Sequence, residues 1–125
     1  MNRFRKLFHK SSSPNIPPMP PWEKIVEIMY NRDLDGYADE VVQVLYSKDR
    51  AKRYVILKDE KGFFTYRLEA IDQYDPEEWQ YLASNPDALP AMWEPFCGIA
   101  AKSIFESKEE LLSEMKAEPE YQRYF

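Results

Sequence analysis

A chain of 125 residues with 22 acidic against 17 basic side chains, one cysteine and one histidine narrows the field before any element is placed. The length suits one domain, the lone Cys97 excludes an intrachain disulfide and fits a reducing, cytoplasmic setting, and there is no apolar run of about 18 residues to cross a bilayer. The acidic balance argues against general nucleic-acid binding, because phosphate attraction needs a basic face.

The charge is unevenly spread along the chain. Arg3, Arg5, Lys6 and Lys10 make the first ten residues basic with no acid, which leaves thirteen basic against twenty-two acidic residues for the remainder. Phe4, Leu7 and Phe8 fall between those cations at i, i+3 and i+4, the spacing of one helical face, although so short a helix needs a surface to lean on. Arg3, Phe4, Arg5, Lys6, Leu7 and Phe8 are therefore candidate contacts of a basic amphipathic arm, for an anionic membrane surface or for a protein partner. A solvated tail or a strap on the acidic body are the plainer uses of the same residues and are preferred. The stretch from Phe4 to Phe8 is too short and too interrupted for the apolar part of a secretory signal. Ser11, Ser12 and Ser13 then offer a joint, and Pro14, Pro17, Pro18, Pro20 and Pro21 favour extended polyproline geometry. Residues 1–19 are read as arm and spacer, and residues 20–125 as one α+β domain.

The body opens with a helix over residues 22–32, with Trp22, Ile25, Val26 and Met29 on its apolar stripe, followed by turn chemistry at Asp33, Asp35 and Gly36. The apolar period then changes from about 3.6 to 2. Strands are expected over residues 40–47, 52–58 and 63–71, the last two joined by a hairpin loop at Asp59-Glu60-Lys61-Gly62. Asp75-Pro76-Glu77-Glu78 reads as an N-cap, a first-turn proline and two acids at the positive end of a helix dipole, and Trp79 and Leu82 face inward until Asn85-Pro86. Residues 91–105 are read as one late strand plus irregular chain. Ser107 with Glu110 forms a capping box for a last helix that carries Leu111, Leu112 and Met115 and stops before Pro119, and Tyr121, Tyr124 and Phe125 pack back. The expected fold is thus α+β, a three- or four-stranded mainly antiparallel meander packed against about three helices.

Tests for reactive chemistry return little. His9 and Cys97 are far apart in sequence, no G-x-S-x-G elbow is present, and one histidine with one cysteine cannot supply the usual zinc ligands. Asp33-Leu34-Asp35-Gly36 starts like a calcium loop, but Tyr37 takes a ligand position and the glycine comes early. Three glycines cannot build a phosphate cradle, so no cofactor is expected. Glu77-Glu78 and Glu109-Glu110 are explained as first-turn acids. The basic segment Lys48, Arg50, Lys52, Arg53 and Lys58, with Tyr46 and Tyr54 nearby, fits solvent-facing charges that keep a strand edge from associating better than it fits a single-strand nucleic-acid surface.

One further segment stands out, Leu89-Pro90-Ala91-Met92-Trp93-Glu94-Pro95-Phe96-Cys97-Gly98. Met92, Trp93 and Phe96 are candidate anchors for a partner, since rigid aromatics give much contact area for little lost entropy, while Trp93 serves equally as a lid over the sheet, the preferred use. Near the end, Ser103-Ile104-Phe105-Glu106-Ser107-Lys108-Glu109-Glu110-Leu111-Leu112 and Glu118-Pro119-Glu120-Tyr121-Gln122-Arg123-Tyr124-Phe125 resemble the ending of small uncharacterised cytosolic proteins of Gram-positive bacteria. That resemblance implies a bacterial origin and no activity. The acidic α+β body is also similar in general character to immunity proteins that neutralise bacterial toxins, an analogy of fold class alone. The expected function is a non-catalytic bacterial module that binds another protein, with regulation or toxin neutralisation as fitting roles. Recruitment to a membrane surface by the arm and a small carboxylate-dependent enzyme are the alternatives.

Overall fold

The computed structural model describes residues 17–96 and 104–125. Along the chain lie α1 (Trp22–Met29), β1 (Glu40–Tyr46), β2 (Lys52–Lys58), β3 (Phe64–Gln73), α2 (Pro76–Leu82), β4 (Ala91–Pro95), α3 (Lys108–Lys116) and α4 (Pro119–Tyr124). The strands form one antiparallel meander in the order β1-β2-β3-β4, so the fold is α+β, with four helices. The chain divides into two compact units. One takes the described residues up to Tyr30 together with Asp72–Met92, the other takes Asn31–Ile71 and the described part of Trp93–Phe125.

In the second unit, alternation along β2 sets the pattern. Tyr54 and Ile56 point to one face while Arg53, Val55 and Leu57 point to the other, and all five are buried. Short loops fix the register on both sides. In the loop before β2, the Asp49 carboxylate accepts from Ser47 Oγ at 2.7 Å and from the Ala51 N–H at 3.0 Å, while Arg50 takes a left-handed φ of 63°. The backbone bond from Ala51, then the Ser47 hydroxyl, hold the Asp49 carboxyl below the usual carboxylate range. Before β3, Asp59 Oδ1 accepts from the N–H groups of Lys61 and Phe63 at 2.9 Å each, and Gly62 supplies the φ of 92° that other residues avoid.

The Tyr54 face carries the unit's apolar core. Leu111 and Met115, four apart on α3 and fully buried, meet Tyr54, Ile56, Tyr66, Leu68 and Phe105. Ser107 Oγ caps α3 by accepting from Glu110 N–H at 3.2 Å. Phe105 is tied to Phe64 by a pair of backbone bonds of 2.8 and 2.9 Å. α4 is an element the sequence pattern did not announce: Pro119 ends α3's run and also opens a new helix as its first residue, a position where its missing N–H costs nothing. Tyr121 and Phe125 stack at 5.6 Å, and Phe125 lies 4.7 Å from the Tyr54 ring.

In the first unit, α1 buries Ile25 and Met29 but leaves Trp22 43 % exposed, so the expected stripe of Trp22, Ile25, Val26 and Met29 is narrower than its spacing suggested. The helix also stops at Met29 rather than near Arg32. Tyr30 turns to extended backbone and Asn31 to a left-handed φ of 60°, a conformation asparagine tolerates. α2 carries the full reciprocal cap at its start, with Glu78 N–H donating to Asp75 at 2.8 Å and Asp75 N–H donating to Glu78 at 3.1 Å. Trp79 is buried on α2, and its Nε1–H donates to the Pro17 carbonyl at 2.9 Å. The proline spacer is therefore fastened at its C-terminal end.

Candidate functional site

The deepest charge in the second unit belongs to Arg53, which has no exposed surface. Its place follows from register: Tyr46 of β1 and Glu69 of β3 lie directly opposite it, so three polar side chains form a row across three strands. Arg53 Nε–H donates to Glu69 at 2.9 Å. One terminal nitrogen donates to the Arg32 carbonyl at 2.7 Å and to Tyr46 Oη at 3.4 Å, the other to the Asp33 carbonyl at 3.3 Å and to Tyr37 Oη at 3.5 Å. A guanidinium has five N–H donors and these partners occupy all five. The Trp93 ring covers it at 4.1 Å. Burial works against the charge, but the bonds to Tyr46 and Glu69 outweigh it and hold Arg53 above its ordinary range.

Asn31 and Asp33 make left-handed turns, and the Arg32 and Asp33 carbonyls aim at Arg53. Tyr46 Oη accepts from Asn31 N–H at 2.8 Å and donates to its side-chain oxygen at 3.1 Å, while Tyr37 Oη lies 2.7 Å from both Glu69 oxygens. Burial, reinforced by the Glu69 carboxylate, pushes the Tyr37 hydroxyl up to about 12. The irregular segment ahead of β1 is thus held to the sheet by a saturated polar network. Such a network fixes a loop, and its guanidinium has no donor left for a bound anion.

A second network closes the opposite face. Glu118, between α3 and α4, accepts from Tyr54 Oη at 2.8 Å and from Tyr66 Oη at 2.5 Å. Burial first, then the Glu118 carboxylate, drive both hydroxyls upward in pKa. Lys52 Nζ sits 4.1 Å from the Tyr124 ring centroid and 5.1 Å from that of Phe96, which ties the last helix to β2 through cation–π contacts. The buried Glu69 and the half-buried Glu118 therefore both serve tyrosines. Among the described residues no three His, Cys, Asp or Glu side chains converge to hold a metal ion.

The residues singled out from sequence are placed as follows. Trp93 is buried with its ring covering Arg53, which is the lid use, and it meets Tyr46 edge-on at 6.1 Å. Phe96 is half-buried, with Lys52 on its face and Tyr124 at 5.9 Å. Met92 is 38 % exposed. Arg53, read from sequence as a solvent-facing edge charge, is a correction: β2 is the second strand of the sheet, so its charges are not at an edge, and Arg53 is interior. Arg3, Phe4, Arg5, Lys6, Leu7, Phe8, His9 and Cys97 lie outside the described residues.

The exposed surface of the first unit has a different character. Trp22, Tyr30, Tyr81 and Met92, four of the five large apolar side chains exposed among the described residues, all belong to it, Tyr81 being the most open at 56 %. Asp72, Asp75, Glu77, Glu78 and Asp87 accompany them without a basic residue anywhere in 72–92. Of this set sequence reasoning had singled out Met92 alone, because Trp22 read as core and Tyr81 carried no signal beyond its place on α2. Compared with models of protein families, with curated proteins and with solved structures, the chain matches none. Among the described residues no helix is long and apolar enough to cross a membrane.

Proposed function

We propose that the chain is a non-catalytic module of the bacterial cytoplasm that binds another protein, and that the first unit supplies the contact. One observation carries the reading: exposed Trp22, Tyr30, Tyr81 and Met92 share a unit whose segment 72–92 bears five acids and no base. Tryptophan and tyrosine are the side chains that most often dominate binding energy, and an acidic surround selects a basic partner surface and repels polyanions. Covering a basic cleft on an enzyme or a toxin uses this chemistry, so a regulatory or neutralising role fits. The saturation of Arg53 and the commitment of Glu69 and Glu118 to tyrosine hydroxyls speak against acid–base catalysis in the second unit.

The test is capture of a stoichiometric partner by the tagged full-length chain, followed by binding measurements in rising salt. Tyr81→Ala and Trp22→Ala are expected to weaken binding by about tenfold or more each, with circular dichroism unchanged. A captured protein indifferent to both substitutions and to salt, or turnover by the purified chain, refutes the reading. A second reading rests on Phe4, Leu7 and Phe8 interleaved with Arg3, Arg5 and Lys6, which suits weak attachment to an anionic membrane surface. Co-sedimentation with vesicles of anionic lipid that is equal for the native chain and for Phe4→Ser/Leu7→Ser/Phe8→Ser removes it.

A further inference from the structure

Pro17 marks where the basic arm and its spacer meet the first unit. Trp79 Nε1–H donates to the Pro17 carbonyl at 2.9 Å, so the spacer is anchored on α2. Tyr81 lies two residues further along α2 and Trp22 five residues further along the chain from Pro17. These two are the most exposed aromatic side chains among the described residues. The place where the arm is tethered is thus also the place where apolar rings face outward.

Charge and spacing single out an occupant for that surface. Residues 17–30 carry two acids and residues 72–92 five, against Lys24 alone, and Lys24 already lies 2.9 Å from Glu27. Arg3, Arg5, Lys6 and Lys10 stand in the arm with no acid among them, so the two charge sets attract. Phe4, Leu7 and Phe8 have the spacing of a helix that lays one apolar edge on a protein surface, and a helix so short persists only against such a surface. The tether permits the meeting. Six residues separate Lys10 from Pro17, seven steps of chain that reach at most about 25 Å. Five residues of chain from Pro17 to Trp22 span at most about 18 Å, and two residues of helix from Trp79 to Tyr81 far less. A tether this short holds its end at an effective concentration in the millimolar range, so an intrinsic Kd of about 1 mM already keeps the arm seated about half of the time.

We infer that residues 1–10 are the occupant of this surface: they fold back as a short helix, seat Phe4, Leu7 and Phe8 against Trp22 and Tyr81, and set their cations among the acids of the first unit. The arm is thereby an internal competitor for the surface proposed above for a basic partner. It also displays the kind of segment that displaces it, a basic helix with apolar residues at i, i+3 and i+4. The seat itself needs no partner, so it stands or falls on the purified chain alone, and its failure leaves the partner reading untouched.

A carbodiimide joins an ammonium to a carboxylate it touches without adding atoms between them, and it is applied at low salt to an equal mixture of isotope-labelled and unlabelled full-length chain. Mass spectrometry is expected to find Lys6 or Lys10 joined to acids of residues 72–92 within isotopically pure chains. Phe4→Ser/Leu7→Ser/Phe8→Ser keeps the tether and the charges but removes the apolar seat, and lowers that yield by about fivefold. Trp22→Ala/Tyr81→Ala leaves the arm's own sequence intact and speeds tryptic cleavage after Arg5 and Lys6 by about fivefold, with circular dichroism unchanged. Should the Trp22→Ala/Tyr81→Ala chain lose its native circular dichroism, the arm substitutions decide alone. Equal coupling yields from the native chain and the arm variant show a tethered charge without a seat, and links that join labelled to unlabelled chain show an arm that reaches another molecule; either result overturns the proposal.

Discussion

Replacing Arg53 by methionine isolates what the buried network contributes. Methionine keeps an unbranched stem against Trp93 but removes the charge, so Glu69, only 6 % exposed, becomes a buried carboxylate with no cation beside it. The Arg32 and Asp33 carbonyls lose their donors in the same step. Breaking a buried pair from one side costs about 3–5 kcal/mol, a large share of the roughly 5–15 kcal/mol that holds an ordinary domain together. Arg53→Lys is expected to recover little, because a compact ammonium has three donors where the site uses five and does not form the planar fork. Removing both charges, as Arg53→Met/Glu69→Leu, takes away the stranded carboxylate and should cost less than the sum of the single changes by about 1–3 kcal/mol. Urea denaturation followed by circular dichroism and by tryptophan fluorescence measures each difference. Were Arg53→Met to lie within 1 kcal/mol of native, or were the two substitutions strictly additive, the network would be an ornament of the sheet and the account of loop fixation would fail.

Alkali should loosen the second unit through its tyrosines. Tyr37, Tyr54 and Tyr66 ionise later when folded than when unfolded, so the folded chain holds more protons above pH 10 and stability falls as pH rises through that region to about 12, where Tyr37 itself ionises; a urea midpoint that does not move between neutral pH and pH 11 counts against the raised hydroxyls. Leu111→Ala empties a fully buried position at the centre of the helix-covered face and is expected to lower unfolding free energy by about 2–5 kcal/mol. Asp75→Ala removes one arm of the reciprocal cap of α2 and should cost about 1 kcal/mol, with loss of amide protection in the helix's first turn as a local readout. Trp79→Phe keeps the ring volume near native but deletes the donor to Pro17, so limited proteolysis of the proline spacer should accelerate while the second unit keeps its urea midpoint.

Local chemistry was legible where it is completed within a few residues. The strand at Lys52–Lys58 has the bounds its alternation implied, and Asp75-Pro76-Glu77-Glu78 starts a helix because the side chains that cap it are three apart. The departures also have local causes. α1 ends early because Tyr30 and Asn31 leave the helical region and Asn31 N–H is taken by Tyr46. α4 was hidden by Pro119, which sequence reading treats as a stop although the same ring suits a first turn. Arg53 looked like an edge charge because a sequence shows that a strand carries charge without showing how many strands lie on either side of it.

Long-range chemistry divides by the kind of connection that creates it. The hairpin at Asp59–Gly62 sets Lys58 opposite Phe64, and stepping back one residue at a time brings Arg53 opposite Glu69. The loop from Ser47 to Ala51 does the same for Tyr46 and Arg53. Two tight turns therefore already contain the polar row, and the pairing of charge with charge follows from strand period and loop length. Glu118 is of another kind. It lies 64 residues from Tyr54 and 52 from Tyr66, on a junction between helices whose position depends on how Leu111, Met115, Tyr121 and Phe125 fill the sheet face. No turn counts it into place. The carboxylate that clasps two tyrosines is thus a product of packing, and it becomes visible only when side-chain volumes have decided where α3 ends and α4 begins.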